Sequence, residues 1–458
     1  MISSDAKYWL KLTLTKSHFF KETAGGLILI IASMLLKQKK YWLFCKFLGK
    51  YEKLNEERIL KQDLSNKYKE LFQLRNKLIC PEADNLIYKD FLRSKQAAAI
   101  KNLYKNFDVN DHVRIRYRNE DDPLREGNFL VLKTPQEKAD GQIEKGVLYL
   151  QYNNSIPELA ALFDLAKLYQ DYAVIIEPSS WGYCDLGLEL LLHGNNTIYV
   201  MAQDSIDYQL CLRLDKRLVP IRAGAGDWIN FNAVPATQSD KIFDVCMVAS
   251  WRKLKNHKLL FKQLAQLGKG LRIALIGYPW EKRTAASIRA EQNKFYPDSL
   301  VSIFESVPHE YVFKVLSQSK VALMLSEREG ANRGIYEALA SNVPVVMLDN
   351  NRGVNKLMVT QGCITTTSAE NLGVTVRKVL SNNEANHVRD KLLEISGTDN
   401  TWRKISETLW ATEGIKLSDT PLIRSTPNLK YVSQDTKENM DATYHQLKSY
   451  LTSAYPQQ

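Results

Sequence analysis

Short apolar runs alternate with helical patterns from residue 129 to residue 348, and this alternation constrains the fold more than any other feature of the sequence. Runs typical of buried strands occur at 129–133, 147–152, 173–177, 197–203, 218–222, 243–249, 272–276, 300–304, 321–325 and 343–348. Helical patterns fill most of the intervals between these runs. Strands that alternate with helices build parallel sheets, so the sequence predicts an α/β fold of the doubly wound type.

A polar stretch at 232–241 divides this alternation into two series. We therefore predict two Rossmann-like doubly wound domains, at 111–235 and 242–400, with a cleft between them that holds the ligands. Residues 1–110 are rich in helical patterns and form a predicted α-helical N-terminal extension. Residues 401–458 form a predicted C-terminal helical tail.

The charge of the chain is concentrated at its start. Residues 1–50 carry nine lysines against Asp5 and Glu22, so +7 of the formal net charge of +11 lies there. The uncharged run 23–36 is shorter than the roughly 20 residues that a transmembrane helix needs. Lysines interleaved with aromatic residues suit a helix that lies in the plane of an anionic membrane surface. The alternative is a helical hairpin that packs on the rest of the protein, or on a second subunit in a homodimer.

Composition narrows the class of protein. With 45% hydrophobic and 25% charged residues, the chain is an ordinary globular protein rather than a disordered one. Its six cysteines show no paired CxxC spacing, which predicts scattered reduced thiols and neither a zinc nor a redox centre. The excess of Lys and Arg points to an anionic partner. Nucleic acid is not expected, because no helix-turn-helix, finger or RNP-like motif is present.

The segment after the apolar run 321–325 has the pattern of an anion-binding site. A turn containing Gly330 and Ala331 leads into a predicted helix at Asn332, Arg333 and Gly334. The N-terminus of a helix presents unpaired N–H groups and the positive end of the helix dipole to an anion. Ordinary capping by Asn332 and ordinary turn formation by the glycines explain the same residues without a ligand.

Two carboxylates, Glu329 and Glu337, lie eight residues apart around this turn. On one ligand-facing edge they would each accept hydrogen bonds from hydroxyl groups, of a sugar in one case and of a ribose in the other. The alternative interpretation is a solvated loop acid and an acid that merely favours the N-terminal half of a helix.

The string EGANRGIYEALASNVPVV, residues 329–346, resembles the Glu-x7-Glu signature of the retaining group 1 glycosyltransferases, which have the GT-B fold. The resemblance implies a GT-B arrangement in which 242–400 binds a nucleotide-sugar donor and 111–235 binds the acceptor. It implies that Glu329 is the catalytic-site acid that orients the donor sugar. It also implies a donor-binding role for Gly330, Ala331, Asn332, Arg333, Gly334 and Glu337.

A second stretch, WRKLKNHK at 251–258, resembles the turn in which this family holds the donor diphosphate with an arginine and a lysine. The resemblance implies that Arg252 and Lys255 bind the diphosphate, with Lys253 left open as the alternative lysine. A solvated basic turn is the other interpretation. Gly277 matches the glycine that ends the family's second strand in this domain, and it completes the predicted donor site.

The first domain departs from the family pattern, because no histidine follows its strands at the expected place. Glu177, Gln203 and Asp204 occupy the corresponding strand ends and are the predicted acceptor-side residues.

The predicted function is a transfer, with retention, of a sugar from a nucleotide-diphosphate sugar to a glycan or lipid-linked acceptor, in the synthesis of cell-surface polysaccharide or glycoconjugate. We expect no cofactor and no metal, because cations replace the metal at the diphosphate. We expect the protein to be cytoplasmic and peripheral on the inner face of the membrane. The alternatives are a non-catalytic scaffold of the same fold and a nucleotide-sugar epimerase.

Overall fold

The computed structural model describes residues 129–151, 163–178, 191–203, 205–234, 240–326, 333–351, 353–355, 357–382, 387–419 and 447–451. It also describes single positions at 27, 28, 30, 31, 34, 35, 38, 43, 156, 159, 160, 188, 329 and 421. The predicted N-terminal extension therefore lies outside the described residues except at eight positions between 27 and 43. Within the described part of the chain, no helix is long and apolar enough to span a membrane.

The first sheet has five strands in the order β1-β4-β5-β6-β7. They are β1 (Phe129–Lys133), β4 (Gly146–Gln151), β5 (Tyr172–Glu177), β6 (Ile198–Met201) and β7 (Leu218–Ile221). Strands β4 to β7 are parallel. Strand β1 is antiparallel to β4, because the two are joined by a short hairpin, β2 (Gln136–Glu137) and β3 (Ile143–Glu144), rather than by a crossover helix.

The second sheet is wholly parallel and has the strand order β10-β9-β8-β11-β12-β13. Its strands are β8 (Phe243–Val248), β9 (Arg272–Gly277), β10 (Leu300–Glu305), β11 (Ser319–Met324), β12 (Val345–Leu348) and β13 (Ile364–Thr367). From β8 the chain adds β9 and β10 on one side, and it then crosses back to add β11, β12 and β13 on the other side. The reversal between β8 and β11 is the point at which doubly wound sheets bind ligands.

The described helices pack mainly on these sheets. They are α1 (Leu165–Asp171), α2 (Ser205–Leu214), α3 (His257–Leu264), α4 (Ala285–Phe295), α5 (His309–Ser317), α6 (Arg333–Ala340), α7 (Leu357–Thr360), α8 (Leu372–Ser381), α9 (Val388–Ile395) and α10 (Thr398–Glu413). The two faces of the second sheet carry separate cores, one including α5, α6 and α9 and the other α3, α4 and α8. Burial on both faces explains the continuous apolar runs of its central strands.

The predicted α/β fold class, with two parallel sheets, is confirmed. The structure adds two features that the sequence patterns did not predict, the antiparallel direction of β1 and the edge strand β13. In β13 only the first and last residues are buried, so its sequence lacks the apolar run by which the other strands were recognised.

Helix α10 returns from the second sheet to the core of the first. Its buried residues Trp402, Ile405 and Leu409 belong to the same apolar cluster as strands β4 to β6. Gly397 N–H donates to Asp227 O at 3.1 Å, and this bond fixes the start of the helix on the first domain. The described beginning of the predicted tail is therefore part of the first core.

Leu409→Ala should destabilise the protein by about 2–5 kcal/mol, because it leaves a cavity in the first core beneath α10. The neighbouring Trp410 is 63% exposed, so Trp410→Leu is a matched control that should change the free energy of unfolding by less than about 0.5 kcal/mol. Urea unfolding of both variants measures the difference. An equal effect of the two substitutions would contradict the packing of α10 on the first sheet.

Candidate functional site

Two loops meet where the second sheet reverses its strand order, one after β8 and one after β11. Asn256 Nδ2 of the first loop donates to Leu325 O at 2.8 Å. Asn351 Nδ2, from the segment after β12, donates to Ser326 O at 2.7 Å. These amides hold three strand ends together at Leu325 and Ser326.

Lys255 of the loop after β8 and Glu329 of the loop after β11 form an ion pair in the gap between the two loops. The Nζ and Oε1 atoms are 2.5 Å apart, and the side chains are only 13% and 8% exposed. Ser326 Oγ donates to the same carboxylate oxygen. Lys253, the other candidate lysine, is exposed, so the structure places Lys255 beside the predicted catalytic acid.

Gly353, in the segment after β12, packs closely against the backbone of Glu329. Its φ is +93°, and a Cβ atom there would lie 1.5 Å from Glu329 O. No other residue type fits this position without moving the acid, because the contact is with backbone and the conformation is left-handed. The segment after β12 is therefore a part of the site.

Arg252 immediately precedes the 3-10 turn Lys253–Lys255. Its guanidinium carbon lies 3.4 Å from the centroid of the Trp280 ring. Gly277 ends β9 next to this segment, and a Cβ atom at Gly277 would lie 2.1 Å from Ala249 O. Close packing is therefore an explanation for Gly277 besides the predicted role in donor binding, since only a glycine lets the end of β9 lie against the end of β8.

Glu337 is buried in α6, where its carboxylate lies beside His309 and Arg333. Its Oε1 lies 2.7 Å from His309 Nε2 and 3.7 Å from Arg333 Nε. His309 begins α5 and was not among the predicted residues, because only the packing of α5 against α6 brings it near. Gly334 lies beside Arg333 in the first turn of α6, whereas the predicted residues Gly330, Ala331 and Asn332 lie outside the described residues.

Tyr336 of α6 connects the second sheet to the first. Its hydroxyl lies 3.2 Å from both Gln203 Oε1 and Asp227 Oδ2. A Cβ atom at Gly226 would lie 2.1 Å from the Tyr336 ring, so the glycine makes room for the ring. Gln203 Nε2 also donates to Gly353 O. The predicted acceptor-side residue Gln203 therefore touches the loop that supports Glu329.

Asp227, the centre of this contact, is fully buried. It accepts hydrogen bonds from Ser396 Oγ at 2.6 Å and from Gly224 N–H at 2.9 Å. Burial raises its pKa, and the nearby Lys404 ammonium opposes that rise. With these hydrogen bonds, the carboxyl group of Asp227 connects the first sheet to α6 and to the segment before α10.

Glu177 ends β5 and is fully buried. Its Oε2 accepts hydrogen bonds from the Tyr149 hydroxyl and from Trp228 Nε1, the latter at 3.0 Å. Among the residues that the structure describes, none is a hydrogen-bond partner of its Oε1. Burial raises the pKa of Glu177 to about 8, with a smaller contribution from Asp227. The group is thus an uncharged acid at neutral pH. Asp204, its predicted acceptor-side companion, lies outside the described residues.

In the described part of the chain, no group of three or more His, Cys, Asp or Glu side chains is placed to hold a metal ion. The expected use of cations in place of a metal stays a prediction.

Comparison with known proteins supports the resemblance found in the sequence. Residues 231–391 match the family model described as glycosyl transferases group 1. This match confirms the predicted resemblance to group 1 glycosyltransferases over these residues. The retaining type stays a prediction. No curated protein matches the chain.

Several solved structures are similar to the chain at low sequence identity. HepE from Anabaena, in complex with UDP and glucose, is 12% identical over 57% of this chain and 77% of its own, with a TM-score of 0.46. The N-terminal domain of Candida albicans trehalose-6-phosphate phosphatase is 11% identical over 70% and 76%, with a TM-score of 0.46. A glycosyltransferase from Rickettsia africae is 12% identical over 56% and 80%, with a TM-score of 0.43.

Glu177→Gln should remove a pH dependence of stability. In the wild-type protein the carboxyl group keeps its proton up to about pH 8, whereas in the unfolded chain it loses it near its ordinary pKa of 4.5. Between these values the folded state binds more protons, so the free energy of unfolding falls as pH rises, by up to about 1.4 kcal/mol per pH unit. Glutamine keeps the two accepted hydrogen bonds and cannot ionise.

Thermal unfolding from pH 5 to pH 8.5 tests this expectation. The variant should match the wild-type midpoint near pH 5 and exceed it at pH 8. Parallel pH profiles for the two proteins would show that Glu177 is ionised in the folded state at neutral pH.

Proposed function

We propose that the protein is a retaining glycosyltransferase that moves a sugar from a nucleoside-diphosphate sugar to a hydroxyl group of a glycan or lipid-linked acceptor. The observation that carries this proposal is the buried pair of Lys255 and Glu329 at the strand reversal of the second sheet. The family match of 231–391 supports it independently.

The cations of the site suit a diphosphate. Arg252 and Lys255 come from the loop after β8, and α6 begins in the segment after β11. In this proposal all three supply positive potential to the diphosphate. Negative charge grows on the diphosphate as the bond to the sugar breaks. Fixed cations in a water-poor site stabilise that charge without having to reorganise.

Glu329 suits the hydroxyl groups of the donor sugar. In the structure its carboxylate oxygen accepts hydrogen bonds from Lys255 and Ser326. A bound diphosphate would attract Lys255, and donor hydroxyls would then take over part of the hydrogen bonding to Glu329. Glu337 would accept hydrogen bonds from the ribose, in a position that His309 and Arg333 fix.

Retention follows from transfer on one face of the sugar. The acceptor oxygen bonds to the anomeric carbon on the face from which the diphosphate departs, and a departing phosphate oxygen takes the hydroxyl proton. Contacts of Gln203 with Gly353 and Tyr336 bring the first sheet up to this gap and limit the entry of water. Gln203, Glu177 and Asp204 are the acceptor-side groups in this proposal.

Lys255→Ala should weaken binding of the donor by about tenfold or more, because it removes a charge-assisted partner of the diphosphate. Lys253→Ala, two positions earlier and exposed, is the matched control and should change affinity by less than about twofold. Thermal stabilisation by a panel of UDP-, GDP- and ADP-sugars identifies the donor, and titration then gives the affinities.

The same panel decides whether the proposed function is right. Failure of every nucleotide sugar to bind the wild-type protein at millimolar concentration would exclude a transferase and favour a scaffold of the same fold. Equal losses in the two lysine variants would place the diphosphate elsewhere.

The proposal includes attachment to the cytoplasmic face of a membrane through residues 1–50. Leu27, Ile30 and Met34 are spaced by three and four residues, and each is more than half exposed. Apolar side chains at this spacing share one face of a helix. Beside the lysine-rich sequence around them, such a face suits the acyl boundary under anionic headgroups.

The triple substitution of Leu27, Ile30 and Met34 by serine should abolish flotation with vesicles that contain phosphatidylglycerol, and should leave the affinity for the donor unchanged. Wild-type protein should float with these vesicles and much less with neutral phosphatidylcholine, because headgroup charge contributes to binding. A protein lacking residues 1–50 that floats as well as wild type would show that these residues do not attach the protein to the membrane.

A further inference from the structure

The two predicted diphosphate-binding cations are held in different ways. Lys255 is neutralised by Glu329. Arg252 has no carboxylate partner among the described residues, and its Nε atom is buried without a hydrogen-bond partner there. It rests instead on the ring of Trp280, with 3.4 Å between guanidinium carbon and ring centroid. An aromatic face attracts a cation without neutralising its charge.

Trp280 itself is held by a short antiparallel bridge. Trp280 N–H donates to Arg283 O and Arg283 N–H donates to Trp280 O, each at 3.0 Å. The guanidinium of Arg283 reaches in two directions, with Nε bonded to Trp251 O at 2.6 Å and Nη1 to Glu291 Oε1 at 2.8 Å. The bridge that carries the ring therefore also fixes the residue just before Arg252.

The backbone before Arg252 is fixed on its other side as well. Trp251 N–H donates to Tyr278 O at 3.0 Å, and the buried indole donates from Nε1 to Glu305 Oε2 at 2.6 Å. The segment 278–283 thus holds Trp251 by both its amide and its carbonyl group, and it supplies the surface on which Arg252 lies. This one segment therefore fixes the backbone from which Arg252 starts and supplies the ring on which its guanidinium lies.

We infer that Trp280 is a positioning residue for Arg252, and that it holds the guanidinium flat so that its edge donates to the donor diphosphate. This inference rests on the proposed function. A carboxylate in place of the ring would also orient Arg252, but it would compete with the phosphate oxygens for the same N–H donors. The ring orients the cation and leaves its charge for the anion.

The test compares Trp280→Leu and Trp280→Gln with Trp280→Phe, which retains an aromatic face. Trp410→Leu, which removes an exposed indole on α10, is the matched control. Binding of inorganic pyrophosphate and of UDP, GDP and ADP is measured by calorimetry. The Leu and Gln variants should raise the dissociation constant for pyrophosphate about three- to tenfold, whereas the Phe variant and the control should stay within about twofold.

A double-substitution cycle identifies the route of the effect. Once Arg252→Met is present, Trp280→Leu should cause no further loss of pyrophosphate binding, because the group that the ring positions has gone. With the identified donor, the Trp280 variants should raise KM for the donor and leave KM for the acceptor unchanged.

Three results would overturn the inference. An unchanged pyrophosphate affinity in Trp280→Leu would show that Arg252 does not depend on the ring. A loss confined to the nucleotides would show that the ring contacts the nucleoside instead. Unfolding of both the Leu and Gln variants would assign the ring to stability, which is not expected of a side chain that is 38% exposed. Absence of all binding by the wild-type protein would refute the proposed function itself.

Discussion

The reversal of strand order between β8 and β11 is the constraint on which the site depends. Crossovers leave this point in opposite directions, so the loops at the carboxyl ends of the two strands separate and leave a gap. Lys255 and Glu329 meet in that gap although 74 residues separate them in the chain. Each is largely shielded from water, and because an unpaired buried charge is costly, each stabilises the charge of the other. In the proposed function, the diphosphate would replace Glu329 as the partner of Lys255, and the sugar hydroxyls would replace Lys255 as partners of Glu329.

The first sheet is joined to this gap by buried polar groups rather than by an apolar seam alone. Tyr336 reaches from α6 to Gln203 and Asp227, and Asp227 gathers donors from its own loop and from the segment before α10. Buried polar groups are directional, so they fix how two elements face each other more strictly than apolar contacts do. These contacts bring the residues that follow β6 and β7 of the first sheet against α6 and the segment after β12 of the second.

Much of this architecture was predictable because parallel strands buried on both faces are continuous apolar runs. The described strands of the second sheet fall within a few residues of their predicted positions, except β13, whose two central residues are exposed. The direction of β1 was not predictable from its residues, since direction depends on the connection and 134–145 carries a hairpin instead of a helix. Local spacing likewise left Lys253 open as an alternative to Lys255, and only the folded turn after Arg252 shows that Lys255 is the one beside Glu329.

Sequence alone was enough to predict the alternating elements, the Glu-x7-Glu segment and the basic turn, because each is a local pattern along the chain. The partners of those residues came from the tertiary structure: Trp280 beneath Arg252, His309 beside Glu337 and Gly353 against the backbone of Glu329. The uncharged state of Glu177 has the same origin, since it arises from burial. Contact distances and desolvation depend on residues that are remote in the chain, and only the packing of the two sheets sets them.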